Sequence, residues 1–255
     1  ISKVTGNDLL SIIQNDCLPI PLRYQAVLHL EKVDSALWNS IIPEIIRLFV
    51  ENADSERLTS LLSSIENGAE KYPFETLAAA HLLPADSEQE LIDWAQAQRK
   101  VALLYVNKAE INTSLSPLNI TLLRILDGSY ADSEPISATL QDKAGYKAFK
   151  ECRSALIEGG DGLVSQVSLS RLSKSVDDAQ LTNLERQLFE NLVNTLIFNR
   201  ASFLIQRPNE VEEGKQLVNQ LIKYSNVKYA FIRASRRLVL EHDVALVSLV
   251  EWYKI

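Results

Sequence analysis

The chain has 255 residues, of which 46% are hydrophobic and 23% charged, a composition typical of a globular protein with one large or two smaller cores. Its formal net charge of −7 disfavours a general nucleic-acid coat and a protein that binds anionic membranes. The sequence holds only eight Gly and eight Pro, which argues against an all-β fold with its many turns.

The cysteines and the ends of the chain give information about the cellular compartment of the protein. Cys17 and Cys152 are the only cysteines, so no disulfide framework exists, and two distant cysteines are typical of reduced cytosolic thiols. No signal peptide or transmembrane run is visible, and we therefore expect a cytoplasmic protein. The chain begins at Ile1 rather than Met and contains no Met at all. We interpret both ends as cut, so that a lost targeting signal would not be visible.

Start and stop signals divide residues 1–127 into helices joined by short loops. Asn7 and Asp8 are expected to cap the first helix, and Pro43 predicts a kink or restart within the third. Gly68 is expected to end the fourth helix, and Ser87 with Glu90 predicts a capping box at the start of the sixth. The predicted helices of this half cover residues 9–13, 21–32, 35–49, 55–65, 73–83, 88–107 and 117–127.

The second half follows a segment, residues 128–145, that is poorer in apolar groups and is interpreted as a loop or a joint. Helical spacing of apolar residues resumes at Tyr146 and continues, with interruptions at glycine and proline, to the end of the chain. No strand pattern survives inspection, and no fixed repeat period holds. The predicted helices of this half cover residues 146–158, 163–176, 182–206, 209–222, 227–241 and 243–255.

The helix predicted from Thr182 to Gln206 is the longest apolar segment. Thr182 and Glu185 form a Thr-x-x-Glu capping box at its start, and Pro208 stops it. Apolar residues extend almost all the way round its second half, so we expect neighbours on several sides there.

These patterns predict an all-α fold in which antiparallel helical hairpins stack as an irregular bundle or an α-solenoid-like array. The predicted lobes are residues 1–127 and residues 146–255, which meet at 128–145 or form one continuous domain.

Arg200 is the one charged residue inside the apolar arc of the long helix. In the simpler interpretation its stem is buried and its guanidinium reaches solvent or a neighbouring carboxylate. In the alternative it is a buried polar residue that orients a ligand or fixes the register between helices.

One basic cluster stands out in the predicted helix 227–241. Arg233, Arg236 and Arg237 share a face with Tyr229, a combination that can bind a phosphate, a base or an acidic segment of a partner. The simpler interpretation is the solvated face of an amphipathic helix, and three basic residues in an acidic chain are a weak electrostatic signal.

No catalytic or metal-binding motif is present. The chain has three histidines, and none has a second His or a Cys at metal-ligand spacing, so we predict no metal and no cofactor. His81 follows an alanine run and is expected to pack, and His242 is expected to be half buried.

Three functions follow from these patterns. The first is a non-enzymatic scaffold or adaptor that binds a partner protein along a helical surface. The second is a regulator that binds nucleic acid or phosphate through the face formed by Arg233, Arg236 and Arg237. The third is an enzyme whose site is assembled from scattered residues, with Arg200 and His242 as first candidates. The first is preferred.

Overall fold

The structure, a computed structural model, describes residues 4–106, 113–130, 145–158, 164–205, 207 and 209–218. These residues form thirteen α-helices and no strand, which confirms the all-α fold class. The helices are α1 (Gly6–Ile13), α2 (Ile20–Val33), α3 (Ser35–Ser40), α4 (Ile42–Glu51), α5 (Ser55–Ser64), α6 (Gly68–Lys71), α7 (Pro73–Leu82), α8 (Gln89–Leu103), α9 (Pro117–Leu126), α10 (Tyr146–Glu158), α11 (Gln166–Asp178), α12 (Asn183–Ile205) and α13 (Val211–Val218).

Most helices begin at side-chain caps or prolines, because the first amides of a helix lack intrahelical partners. The capping box predicted for the long helix is present: the Thr182 amide donates to Glu185 Oε2 (3.0 Å), and the Glu185 amide donates to Thr182 Oγ1 (3.2 Å). The restart at Pro43 is confirmed, since α3 ends at Ser40 and Pro43 lies in the first turn of α4.

Two predicted caps do not form as expected, at the starts of α1 and α8. The first helix is capped by Thr5, whose hydroxyl accepts from the Asp8 amide at 3.3 Å, so Asn7 lies inside the helix. The Ser87 hydroxyl instead donates to Glu56 Oε1 at 2.7 Å, and α8 begins without a side-chain cap. The capping box predicted with Glu90 therefore does not form.

Gly68 has a different role from the predicted one. It begins the short helix α6, and the left-handed residue that precedes it is Asn67, with φ 57°. A Cβ at position 68 would lie 2.5 Å from the Leu62 carbonyl oxygen. Glycine is therefore required there for the close approach of two backbone segments.

Neighbours along the chain pack together, and α12 connects distant parts of it. The pairs α1–α2, α7–α8, α10–α11 and α12–α13 each pack side by side. The helix α12 also contacts α4, α7 and α9. One cluster of buried apolar side chains extends from Leu9 to Ile205, so a continuous core connects residues of both halves.

The burial of α12 is less complete than the sequence predicts. Leu188, Phe189 and Ala201 are fully buried, whereas Ile197 and Phe203 are half buried and Asn199 is exposed. The guanidinium of Arg207 covers part of the Phe203 ring, 4.0 Å from its centroid. The second half of this helix therefore keeps one side partly exposed.

Within the residues that the structure describes, no helix combines the length and hydropathy needed to cross a membrane. The stacking of the helices as a bundle or a solenoid, and the two lobes that meet at 128–145, stay predictions; most of that joint lies outside the described residues.

Candidate functional site

Most of the sequence-predicted site residues lie in the C-terminal part of the chain. Tyr229, Arg233, Arg236 and Arg237 lie outside the described residues, as does His242. The interpretation of the basic face therefore stays a prediction.

Arg200 lies near the C-terminal end of α12, with its side chain 20% exposed. Its Nη1 donates to the Val164 carbonyl oxygen, and its Nη2 lies near Glu213 Oε1, both at 3.4 Å. Its Nε is buried and has no hydrogen-bond partner. The guanidinium thus connects α12 to α13 and to Val164, which lies just before α11.

A cavity of about 270 Å³ opens at the surface between α4, the start of α7 and residues 113–114. The proline-initiated starts of both helices supply most of its wall. The residues that line the cavity are Pro43, Glu44, Ile46, Arg47, Tyr72, Glu75, Thr113 and Ser114.

Glu75 is the most deeply buried charged residue of this cavity, at 1% exposure. Its Oε1 accepts three hydrogen bonds, from Thr113 Oγ1 (2.8 Å), the Ser114 amide (3.0 Å) and Ser114 Oγ (3.2 Å). Its Oε2 is buried and has no hydrogen-bond partner. An unsatisfied buried acceptor costs about 1–3 kcal/mol, so this oxygen has an unused capacity to accept a hydrogen bond.

The location of Glu75 is favourable for a carboxylate. It lies in the first turn of α7, where the helix dipole stabilises negative charge. Glu44 occupies the same position in α4 and is partly exposed. Neither carboxylate has a Lys, Arg or His nitrogen within ion-pair distance among the described residues.

The pKa of Tyr72 is affected by both acids of the cavity, Glu75 and Glu44. Burial raises the pKa of its hydroxyl, and the negative charges of Glu75 and Glu44 raise it further. The hydroxyl consequently stays protonated at neutral pH, so its oxygen can accept one hydrogen bond while its proton is donated.

Arg47 is the one cation in the cavity wall, and it is already paired. Its Nη2 donates to Asp16 Oδ1 at 3.0 Å, and Arg23 Nη2 lies 2.8 Å from the same oxygen. Hydrogen bonding and charge from Arg47, with the charge of Arg23, hold the pKa of Asp16 below its usual value. The positive charge of Arg47 is therefore paired with Asp16, an exposed residue outside the cavity wall.

A second polar cluster is buried between α7, α8 and the end of α9. Asp127 is fully buried, with Oδ2 3.1 Å from His81 Nε2 and Oδ1 2.5 Å from Arg99 Nε. Burial alone would raise the pKa of Asp127, but the charges and hydrogen bonds of His81 and Arg99 outweigh it and lower that pKa. His81 is buried, as its position after the alanine run predicts. None of these three residues lines the cavity. The cluster connects α7, α8 and the end of α9.

Metal binding has no support in the described part of the chain, which holds no group of three or more His, Cys, Asp or Glu side chains placed to share an ion. No protein-family model, no curated protein and no solved structure matches the chain. The candidate site therefore depends on the geometry of the cavity around Glu75.

The sequence did not reveal Glu75, Glu44 or Tyr72 as site residues. An acid in the first turn of a helix is ordinary, and the residues that bind Glu75 follow it by 38 and 39 positions. The one local signal is a carboxylate in a helix whose other residues, apart from Thr76 and His81, are apolar.

Proposed function

We propose that this protein is a non-enzymatic helical scaffold or adaptor that binds a partner protein. The observation that supports the proposal is the cavity around Glu75, a recess between adjacent helices with an unsatisfied carboxylate oxygen. Pockets for small molecules usually enclose about 300–1,000 Å³, so this recess has the size for one side chain or one small group.

The lining chemistry favours binding over catalysis. The eight residues of the cavity wall include no His and no Cys, and the hydroxyls of Thr113 and Ser114 donate to Glu75 Oε1. These hydroxyls hold the carboxylate in place, and no His, the commonest general base, stands beside them in the wall.

Photocrosslinking in a lysate of the source cells tests the proposal. A photoreactive amino acid at Pro43, on the exposed rim of the cavity, is compared with one at Lys174, which is exposed on α11. The helix α11 packs against α10 and α12, away from the cavity. We expect a discrete adduct from position 43 that excess unlabelled protein removes. Equal adducts from both positions, or none from position 43, would overturn the proposal.

The alternative function, a regulator that binds nucleic acid or phosphate, is supported by the sequence of the Arg233, Arg236 and Arg237 face. Fluorescence anisotropy with single- and double-stranded probes at low and moderate salt tests it, because phosphate contacts release counterions. We expect salt-sensitive binding that reversal of the three charges removes. Absence of binding at low salt would eliminate this alternative.

A further inference from the structure

We infer that the cavity around Glu75 is a binding site for a primary alkylammonium group. This inference deepens the proposed function, because it names the chemistry that a partner would present there. The same chemistry occurs in a lysine side chain and in a free small amine. The experiment below distinguishes these two sources.

The acceptors in the cavity match the donors of an ammonium group. Such a group has three N–H donors and no acceptor. Three residues of the cavity wall can accept them: Glu75, whose Oε2 has no hydrogen-bond partner, Glu44 and Tyr72. The two carboxylates also supply the negative charge that compensates a desolvated cation, which is costly to bury unpaired.

The bonding of Glu75 disfavours a guanidinium. Arginine binds a carboxylate most strongly through both oxygens at once, in a fork geometry. Three donors already occupy Oε1 of Glu75, so only Oε2 has no hydrogen-bond partner. A compact ammonium can donate one N–H to this oxygen and its other two to Glu44 and Tyr72.

Other ligand classes fit less well. An anion would meet the carboxylates of Glu44 and Glu75, whereas the one cation of the wall, Arg47, is paired with Asp16. A tightly held divalent metal would need more ligands than two carboxylates, and the described residues form no metal-binding group.

The remainder of the cavity suits an alkyl stem. Pro43 and Ile46 contribute apolar surface to the wall, next to the polar side chains. Amphipathic side chains lay their methylene groups on such surface while their charged end meets polar partners. A lysine that enters from the open side would place its stem on Pro43 and Ile46 and its ammonium at Glu75.

Titration of the ¹⁵N-labelled full chain by NMR tests the inference. The Ser114 amide, which donates to Glu75 Oε1, is the reporter. The probes are butylammonium, neutral butanol and the peptide Gly-Gly-Lys-Gly-Gly with blocked ends. We expect saturable shifts of the Ser114 amide with the two amines and none with butanol.

Matched variants place the effect at the cavity. Glu75→Gln and Glu44→Gln each remove one charge, and Glu90→Gln removes the same charge from an exposed position in the first turn of α8. We expect the Kd of butylammonium to rise about tenfold or more in the first two, since hydrogen bonds to charged groups are strong, and to be unchanged in Glu90→Gln. Should Glu75→Gln fail to fold, Glu44→Gln and Tyr72→Phe leave the Thr113 and Ser114 bonds in place.

The outcomes distinguish a partner's lysine from a free amine, and the ammonium site from the scaffold function. Tighter binding of the peptide than of butylammonium assigns the site to a lysine of a partner, and the reverse assigns it to a free amine. Absence of saturable shifts, or equal binding in all three Gln variants, overturns the inference. A crosslink from Pro43 that persists in that case leaves the scaffold proposal standing.

Discussion

The side-chain amide of Asn191 donates a hydrogen bond to the backbone carbonyl oxygen of His81, 110 residues earlier, at 2.5 Å. His81 lies next to the last residue of α7, where carbonyl groups lack intrahelical partners. The hydroxyl of Ser55 donates in the same way to the Leu82 carbonyl oxygen, at 2.9 Å. Two buried side chains from distant helices therefore cap the C-terminal end of α7.

Replacing Asn191 with Ala should destabilise the protein. The change removes a buried hydrogen bond between two helices, which costs about 0.5–1.5 kcal/mol. Urea unfolding followed by circular dichroism measures the loss. Asn199→Ala, at an exposed position of the same helix, is the control and should change the free energy of unfolding by no more than about 0.5 kcal/mol. Equal effects of the two substitutions would contradict the assigned role of Asn191.

Asp127→Asn should destabilise the protein at neutral pH, because the buried carboxylate pairs with His81 and Arg99. Removing one partner of a buried pair costs about 3–5 kcal/mol, and we expect the lower end because Arg99 is 23% exposed. Asp93→Asn, at an exposed position of α8, should have little effect.

The stability difference between wild type and Asp127→Asn should depend on pH. The pKa of Asp127 is lowered in the folded state, so its stabilising contribution is complete above the unfolded pKa of about 3.9 and is lost as the pH falls through the folded pKa. Urea unfolding between pH 7 and pH 2.5 should show a constant difference between wild type and Asp127→Asn down to about pH 5, and a smaller one below. A difference that grows on acidification would contradict the sign of this shift.

Tyr72 should ionise above the ordinary tyrosine pKa of 10.0, because burial and the charges of Glu75 and Glu44 raise its pKa. Titration of protein labelled with ¹³C at the tyrosine ζ carbon measures each ring separately. Glu44→Gln should lower the pKa of Tyr72, since it removes one of the negative charges. Burial and the Asp54 carboxylate raise the pKa of Tyr24 to about 12, and this value should stay unchanged in the variant.

Cys152 should resist modification in the folded protein. It is fully buried in α10, and burial raises the pKa of its thiol, so the reactive thiolate is scarce. A thiol reagent should label Cys17, which is exposed, and should reach Cys152 only after unfolding. Labelling of both cysteines at the same rate in native buffer would contradict the packing of α10.

Local signals in the sequence predict helix ends well where the partners are close. Thr182 and Glu185 are three residues apart, and their capping box forms as predicted. Ser87 and Glu90 have the same spacing, but the Ser87 hydroxyl bonds to Glu56, 31 residues earlier. Local spacing does not show whether a residue of another helix will take the hydrogen bond instead.

The candidate site was not predictable for the same reason. Glu75 acquires its distinctive environment from Thr113 and Ser114, and Tyr72 acquires a raised pKa from acids on two helices. Arg200 differs, because the sequence places its charge within an apolar arc and so marks the residue as unusual. One interpretation has its guanidinium reach solvent or a neighbouring carboxylate, and Glu213 on the next helix lies near it.

The contacts of α12 with α4, α7 and α9 make the two halves of the chain depend on each other for folding. A Cβ added at Gly145 would lie 2.8 Å from a Leu118 methyl carbon and 3.0 Å from one of Leu181, so even the start of the second half is seated against α9. A chain cut between Gly128 and Gly145 would leave each fragment with an uncovered apolar face. We expect the two fragments to be poorly folded alone and to reassemble when mixed, as a split protein that reconstitutes without the peptide bond.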